Sequence, residues 1–67
     1  MNNYAIIFRT ASGSVVQFQA RAHTIAAALR QAGDIDGWTL LELAEYETAD
    51  GAADFLAAVM PRYEDAR

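Results

Sequence analysis

The stretch NYAIIFRTASGSVVQFQARA, residues 3–22, limits the possible folds of this chain more than any other segment. Two runs rich in β-branched and aromatic residues flank Ala11-Ser12-Gly13, which is the pattern of a β-hairpin. If those residues form the loop, Gly13 takes its last position, where a G1 bulge needs a left-handed backbone. Phe8 then opposes Val16, Ile6 opposes Phe18 and Tyr4 opposes Ala20 on one face. Arg9 with Val15, Ile7 with Gln17 and Ala5 with Gln19 share the other. A slip of one residue would set Phe8 against Gln17 and Arg9 against Val16, mixing the faces, so turn chemistry and hydrophobic pattern select the same register.

After the hairpin, Thr24 stands before IAAALRQA, a run of good helix formers closed by Gly33. Its apolar stripe is Ile25, Ala28, Leu29 and Ala32, with Ile25 and Leu29 expected to anchor it on the sheet. Asp34-Ile35-Asp36-Gly37 reads as a turn. WTLLELAEYE, residues 38–47, fits two readings. Thr39 and Glu42 mimic a helical capping box, with Leu40, Leu43 and Ala44 as a stripe. As a strand, Trp38, Leu40, Ala44 and Tyr46 share one face, interrupted by Glu42, with Leu41 and Leu43 opposite. The strand is preferred, because a hairpin with one helix is marginal and a third strand completes the sheet; otherwise the fold becomes a hairpin with three helices. Asp50 is positioned to cap GAADFLAAVM, with Ala52, Phe55, Leu56 and Val59 at helical spacing and Pro61 as the stop. Residues 61–67 then form a polar tail. The expected fold is a single two-layer α+β domain in the order ββαβα, a hairpin plus a third strand packed against two short helices.

A chain of 67 residues buries only about 60% of its unfolded surface, so one small core must suffice and pairing with another copy is a natural supplement. There is no cysteine, which removes disulfides, thiolate ligands and a cysteine nucleophile. The opening MNNYAIIF has neither a charged n-region nor an apolar run of signal length, so a cytoplasmic chain with no membrane contact is expected. Fifteen alanines and no lysine suggest a GC-rich coding genome, that of a bacterium or one of its phages.

The net charge of −4 conceals a split. Residues 1–33 carry Arg9, Arg21 and Arg30 without an acid, whereas residues 34–67 carry nine acids against Arg62 and Arg67. The balance disfavours direct nucleic-acid binding, including a regulator built on Arg9, Arg21 and Arg30, and favours a basic partner.

Catalytic chemistry has little material. His23 is the only histidine and sits at a strand-to-helix junction, and Ser12 and Ser14 are turn residues, so nucleophile-and-base arrangements are not available. Asp34-Ile35-Asp36-Gly37 lacks the later ligands of a calcium loop, and the glycines are scattered rather than grouped as a phosphate loop. Neither an enzyme, nor a cofactor, nor a metal site is expected. What stands out is ELAEYETADGAADF, residues 42–55, with Glu42, Glu45, Glu47, Asp50 and Asp54 and no base. In a strand Glu45 and Glu47 would lie about 6.6 Å apart on one side, and Asp50 and Asp54 lie about 6 Å apart on a helix. Such spacing can present a basic groove with a potential like that of a nucleic-acid backbone, with Tyr46 or Tyr63 as an aromatic anchor. The competing reading is a solvated surface in which the acids favour a helix start and keep a strand soluble.

A short, cysteine-free, acidic chain of hairpin, helix and strand resembles the small proteins with which phages neutralise host defences, notably anti-CRISPR proteins. The resemblance covers the plan of residues 1–47 and rests on size, element order and charge. It implies a stoichiometric inhibitor that occupies a basic nucleic-acid-binding surface of a host protein or ribonucleoprotein complex. On this chain the expected partner-binding residues are Glu42, Glu45, Tyr46, Glu47, Asp50 and Asp54. The alternative is a homo-oligomeric assembly protein, possible as a homodimer, associating through the hairpin. Its outer face, with Ile7, Val15, Gln17 and Gln19 between Arg9 and Arg21, has no assigned cover, and its edge is also open.

Overall fold

The computed structural model describes residues 1–33 and 36–64. In chain order these form β1 (Asn2–Arg9), β2 (Val15–Ala22), α1 (Ile25–Ala32), β3 (Thr39–Tyr46) and α2 (Ala49–Glu64). The strands make one antiparallel sheet in the order β2-β1-β3, so the first strand is central and the other two are edges. Asp34 and Ile35 of the expected turn, and residues 65–67 of the expected tail, lie outside the described residues.

The hairpin register is the one that turn chemistry demands: Phe8 pairs with Val16, Ile6 with Phe18 and Tyr4 with Ala20. Gly13 has φ +92° and its N–H donates to Thr10 O at 2.9 Å, while Thr10 N–H donates to Ser14 O at 2.8 Å. A side chain at Gly13 would have to adopt a backbone conformation that L-residues avoid.

Residues 39–46 are a strand, and its partner β1 explains why neither periodicity fitted cleanly. The register against β1 runs evenly from Asn3↔Tyr46 to Ile7↔Glu42 and then shifts, so that Phe8 faces Leu40. Leu41 is the extra residue of this bulge, and a bulge moves the side chains beyond it to the other face. Trp38 and Leu43 therefore pack on one side of the sheet, and Leu41, Ala44 and Tyr46 on the other. The expected grouping of Trp38 with Ala44 and Tyr46, and of Leu41 with Leu43, is corrected accordingly.

The α+β class and the order ββαβα are as expected, but the layering is not. On one face Tyr4, Ile6, Phe8, Ala20 and Ala22 meet Ala28 and Ala32 of α1. On the other, Ala5 and Ile7 meet Ala52, Leu56, Val59 and Met60 of α2. The sheet is thus sandwiched between helices, three layers in place of two, and Ala5-Ile6-Ile7-Phe8 is buried on both sides. The outer hairpin face expected to stay open is covered by α2, because that helix presents a continuous stripe wide enough to need a surface of its own. Ile7 and Val15 of that face are packed under α2, while Gln17 and Gln19 stay exposed, and the strand edges are open.

Both helices differ in detail from expectation. Thr24 caps α1 as foreseen, its Oγ1 accepting from Ala27 N–H at 3.1 Å, and Gly33 ends it. The contact is made by the small residues Ala28 and Ala32, however, with Leu29 at the margin and Ile25 49% exposed. An alanine face lets the short helix lie close over the aromatic sheet. The cap of α2 is Thr48 rather than Asp50: Thr48 Oγ1 accepts from Gly51 N–H at 3.0 Å, and Asp50 lies in the first turn. Pro61 does not stop α2, which runs on to Glu64. The carbonyl that Pro61 leaves without a donor is that of Ala57 on the exposed side, where water can satisfy it. Tyr63, expected in a polar tail, is instead half-buried against Ala5, Ile7 and their neighbours.

The two assignments of the α2 cap are separable by experiment. Thr48→Ala is expected to cost about 1 kcal/mol of stability. Asp50→Asn should cost only about 0.3–1 kcal/mol, through the helix dipole. Urea denaturation of both variants checks this, and a larger loss at Asp50 than at Thr48 would restore Asp50 as the cap.

Candidate acidic docking surface

The acidic stretch follows β3, an edge strand, through Glu47 and Thr48 into the first two turns of α2. The fold divides its residues into two groups. Glu42 pairs with Ile7 and so points to the α2 side, where Tyr63 O–H donates to its Oε1 at 2.8 Å. This partly buried bond, followed by burial, pushes the Tyr63 phenol above its ordinary pKa, because the ionised ring would face a carboxylate. Tyr46 also faces α2. Its ring lies 5.9 Å from that of Phe55, and a Cβ on Gly51 would stand 3.1 Å from Tyr46 Cδ1. Helix α2 therefore approaches Tyr46 at a position that glycine suits. Glu42 and Tyr46 are thus half-buried and turned toward α2, which they help to hold on the sheet.

The second group is solvent-facing. Glu45, Glu47, Asp50 and Asp54 are all exposed. Glu45 stands opposite Tyr4 on β1, on the α1 side of the sheet. Tyr4 is 1% exposed, and its phenol is raised above the usual value chiefly by burial, with the Glu45 carboxylate adding to the shift and Asn2 opposing it. Glu47 lies just beyond the strand, its carbonyl accepting from Asn3 Nδ2 at 3.1 Å, so strand alternation with Glu45 does not set its direction. Asp50 and Asp54 are one helical turn apart, about 6 Å. Asp50 sits in the first turn of α2, where negative charge is favourable, and Asp54 in the second.

The link between Tyr63 and Glu42 is the contact that sequence reasoning missed. The signal was the spacing of Leu56, Val59, Met60 and Tyr63, which continues the stripe of α2 through Pro61.

Elsewhere the chemistry-bearing side chains are dispersed. His23 is exposed at the start of α1, and Ser12 and Ser14 lie in the hairpin loop, where Ser12 Oγ is 3.0 Å from Thr10 Oγ1. Among the described residues no three His, Asp or Glu side chains gather as a metal site, and no cavity forms. No helix among them is long and apolar enough to cross a membrane. The chain matches no family model, no curated protein and no solved structure.

Proposed function

We propose that the protein is a non-enzymatic binding protein that docks the surface carrying Glu45, Glu47, Asp50 and Asp54 on a basic, nucleic-acid-binding groove of a partner protein or ribonucleoprotein. Small phage-encoded inhibitors of the anti-CRISPR type act in this way, and the reading extends that mode of action to this chain. The observation that carries it is the exposure of these four acids within ten residues that run from the end of β3 into α2, in a segment with no basic residue between Trp38 and Pro61. Carboxylates held on ordered backbone lose less entropy on meeting guanidinium or ammonium groups than carboxylates on a mobile tail. Their field steers association with a positive groove and excludes nucleic acid from the same place. Glu42 and Tyr46, turned toward α2, are not part of the docking face.

The test is a comparison of the native chain with the variant Glu45→Gln, Glu47→Gln, Asp50→Asn, Asp54→Asn, each immobilised against a nuclease-treated bacterial lysate. The native chain is expected to retain a nucleic-acid-binding protein that salt or added nucleic acid releases. The variant, with an unchanged circular dichroism spectrum, should retain at least tenfold less of it. Equal retention by both chains would remove the four acids from the mechanism.

A further inference from the structure

The two edges of the sheet are protected very differently. β3 carries a bulge at Leu41 and the charges of Glu42 and Glu45, with Glu47 just past its end, all features that discourage a neighbouring strand. β2 runs Val15–Ala22 in unbroken register, with no proline, acid or lysine and only Arg21 charged. The bond from Thr10 N–H to Ser14 O fixes the phase of its ladder. Even-numbered residues of β2 turn their backbone groups to β1, and Val15, Gln17, Gln19 and Arg21 turn theirs outward. Of these, the Arg21 carbonyl is engaged by Gln31 Nε2 at 2.9 Å. Among the described residues, no hydrogen bond of the chain reaches the outward groups of Val15, Gln17 and Gln19.

We infer that this edge is a self-association site, at which β2 of a second copy pairs antiparallel about a two-fold axis at Gln17. The register follows from which groups are free. With the Arg21 carbonyl occupied, the outward residues that can exchange paired bonds are Val15, Gln17 and Gln19. The symmetric solution pairs Val15 with Gln19 of the partner copy and Gln17 with its counterpart, forming about six backbone hydrogen bonds. Val16 then lies beside Phe18 of the partner copy, at the closer, non-hydrogen-bonded spacing. Both residues are half-buried in the single chain and would be shielded further.

Charge and sterics agree with this choice. Pairing β2 with β2 opposes no like charges, since Arg21 falls opposite the loop residue Gly13, whereas pairing β3 with β3 would bring the strand glutamates of two copies into one seam. The helix α1 packs on Ala20 and Ala22, toward one end of β2, so the two-fold sets the α1 helices at opposite ends of the seam. The resulting six-stranded sheet exceeds the minimal width of the single chain and leaves the β3 edges outermost. It uses none of the four acids proposed for docking, so either reading can fail without the other.

Sedimentation velocity up to about 1 mM, the weak end of specific association, tests the inference. A concentration-dependent dimer is expected. Gln17→Pro removes an outward N–H without touching the β1–β2 ladder, and Gln17→Lys sets two ammonium groups across the axis; each should raise the dimer dissociation constant at least tenfold while the far-ultraviolet spectrum is unchanged. Amide exchange should slow with concentration at Val15, Gln17 and Gln19 and not at Leu43 or Glu45. A strict monomer throughout the range, a dimer indifferent to Gln17→Lys, or protection at Leu43 and Glu45 would each overturn it.

Discussion

Ile6→Ala and Ile7→Ala are expected to destabilise the protein by similar amounts, each about 2–5 kcal/mol. Both side chains are 0% exposed, although they are neighbours on one strand and so point to opposite faces of the sheet. Ile6 lies in the cluster beneath α1 and Ile7 in the cluster beneath α2. A domain of this length has roughly 3–10 kcal/mol of stability in all, so either change removes a large share and can unfold the chain at ambient temperature. Urea midpoints, or thermal midpoints if the variants are still folded, give the comparison. The pairing of the two variants is what discriminates. In a two-layer arrangement with an open outer face, Ile7→Ala would remove a half-solvated side chain and cost well under the Ile6→Ala value. An Ile7→Ala loss below about 1 kcal/mol would mean that α2 does not cover the sheet as described.

The burial of the central strand is legible in its apolar run rather than in the alternation of the hairpin. Ala5-Ile6-Ile7-Phe8 is an unbroken apolar run, which is how a strand covered on both faces reads, whereas Val15-Val16-Gln17-Phe18-Gln19 alternates as an edge strand does. The hairpin register was legible because two independent constraints, the left-handed Gly13 and the alternation of β2, admit one solution. β3 was legible only as an element. Its bulge at Leu41 breaks the period of two, so the faces of Trp38, Leu41 and Leu43 depend on a pairing partner that the local sequence does not contain. The extent of α2 was hidden by Pro61, whose cost depends on whether the carbonyl four residues earlier is exposed, which is a tertiary property.

The candidate site follows the same division. That the acids of residues 45–54 lie on the surface could be read from their number and from the absence of bases among them. Which acids are free could not, because Glu42 becomes an acceptor for Tyr63 only once α2 has folded across the sheet. Of the six acidic-stretch residues expected to meet a partner, the fold leaves Glu45, Glu47, Asp50 and Asp54 exposed and turns Glu42 and Tyr46 toward α2. It also separates the molecule's two open surfaces. The acidic residues are proposed to meet a basic partner and the near-neutral β2 edge a copy of the same chain, since self-pairing of an acidic seam would be repulsive.

Phe8→Ala is the other substitution expected to be severe, at about 3–5 kcal/mol, and it also has a spectroscopic readout. Phe8 is 2% exposed and stands at the step in the β3 register, where Leu40 takes over as its partner. Its ring centroid lies 6.2 Å from that of Phe18, edge-on, and 5.8 Å from that of Trp38, while Phe18 and Trp38 stack at 6.4 Å. The three rings belong to the cluster on the α1 side of the sheet, with Phe8 buried in it and Phe18 and Trp38 packed against it. Removing the central ring withdraws the contact from both neighbours, so the loss exceeds the burial of one side chain by the aromatic pair terms, about 0.5–1.5 kcal/mol each. Trp38 is the sole tryptophan and reports on the site directly. In a variant kept folded at low temperature its emission should shift to longer wavelength, because water enters the gap beside the indole. A Phe8→Leu variant, which refills most of the volume without a ring, should recover the larger part of the stability and less of the spectrum. Wild-type emission in a folded Phe8→Ala protein would show that Trp38 is held by Phe18 alone, and that the bulge beside Phe8 is set by the β3 backbone rather than by the ring packed against it.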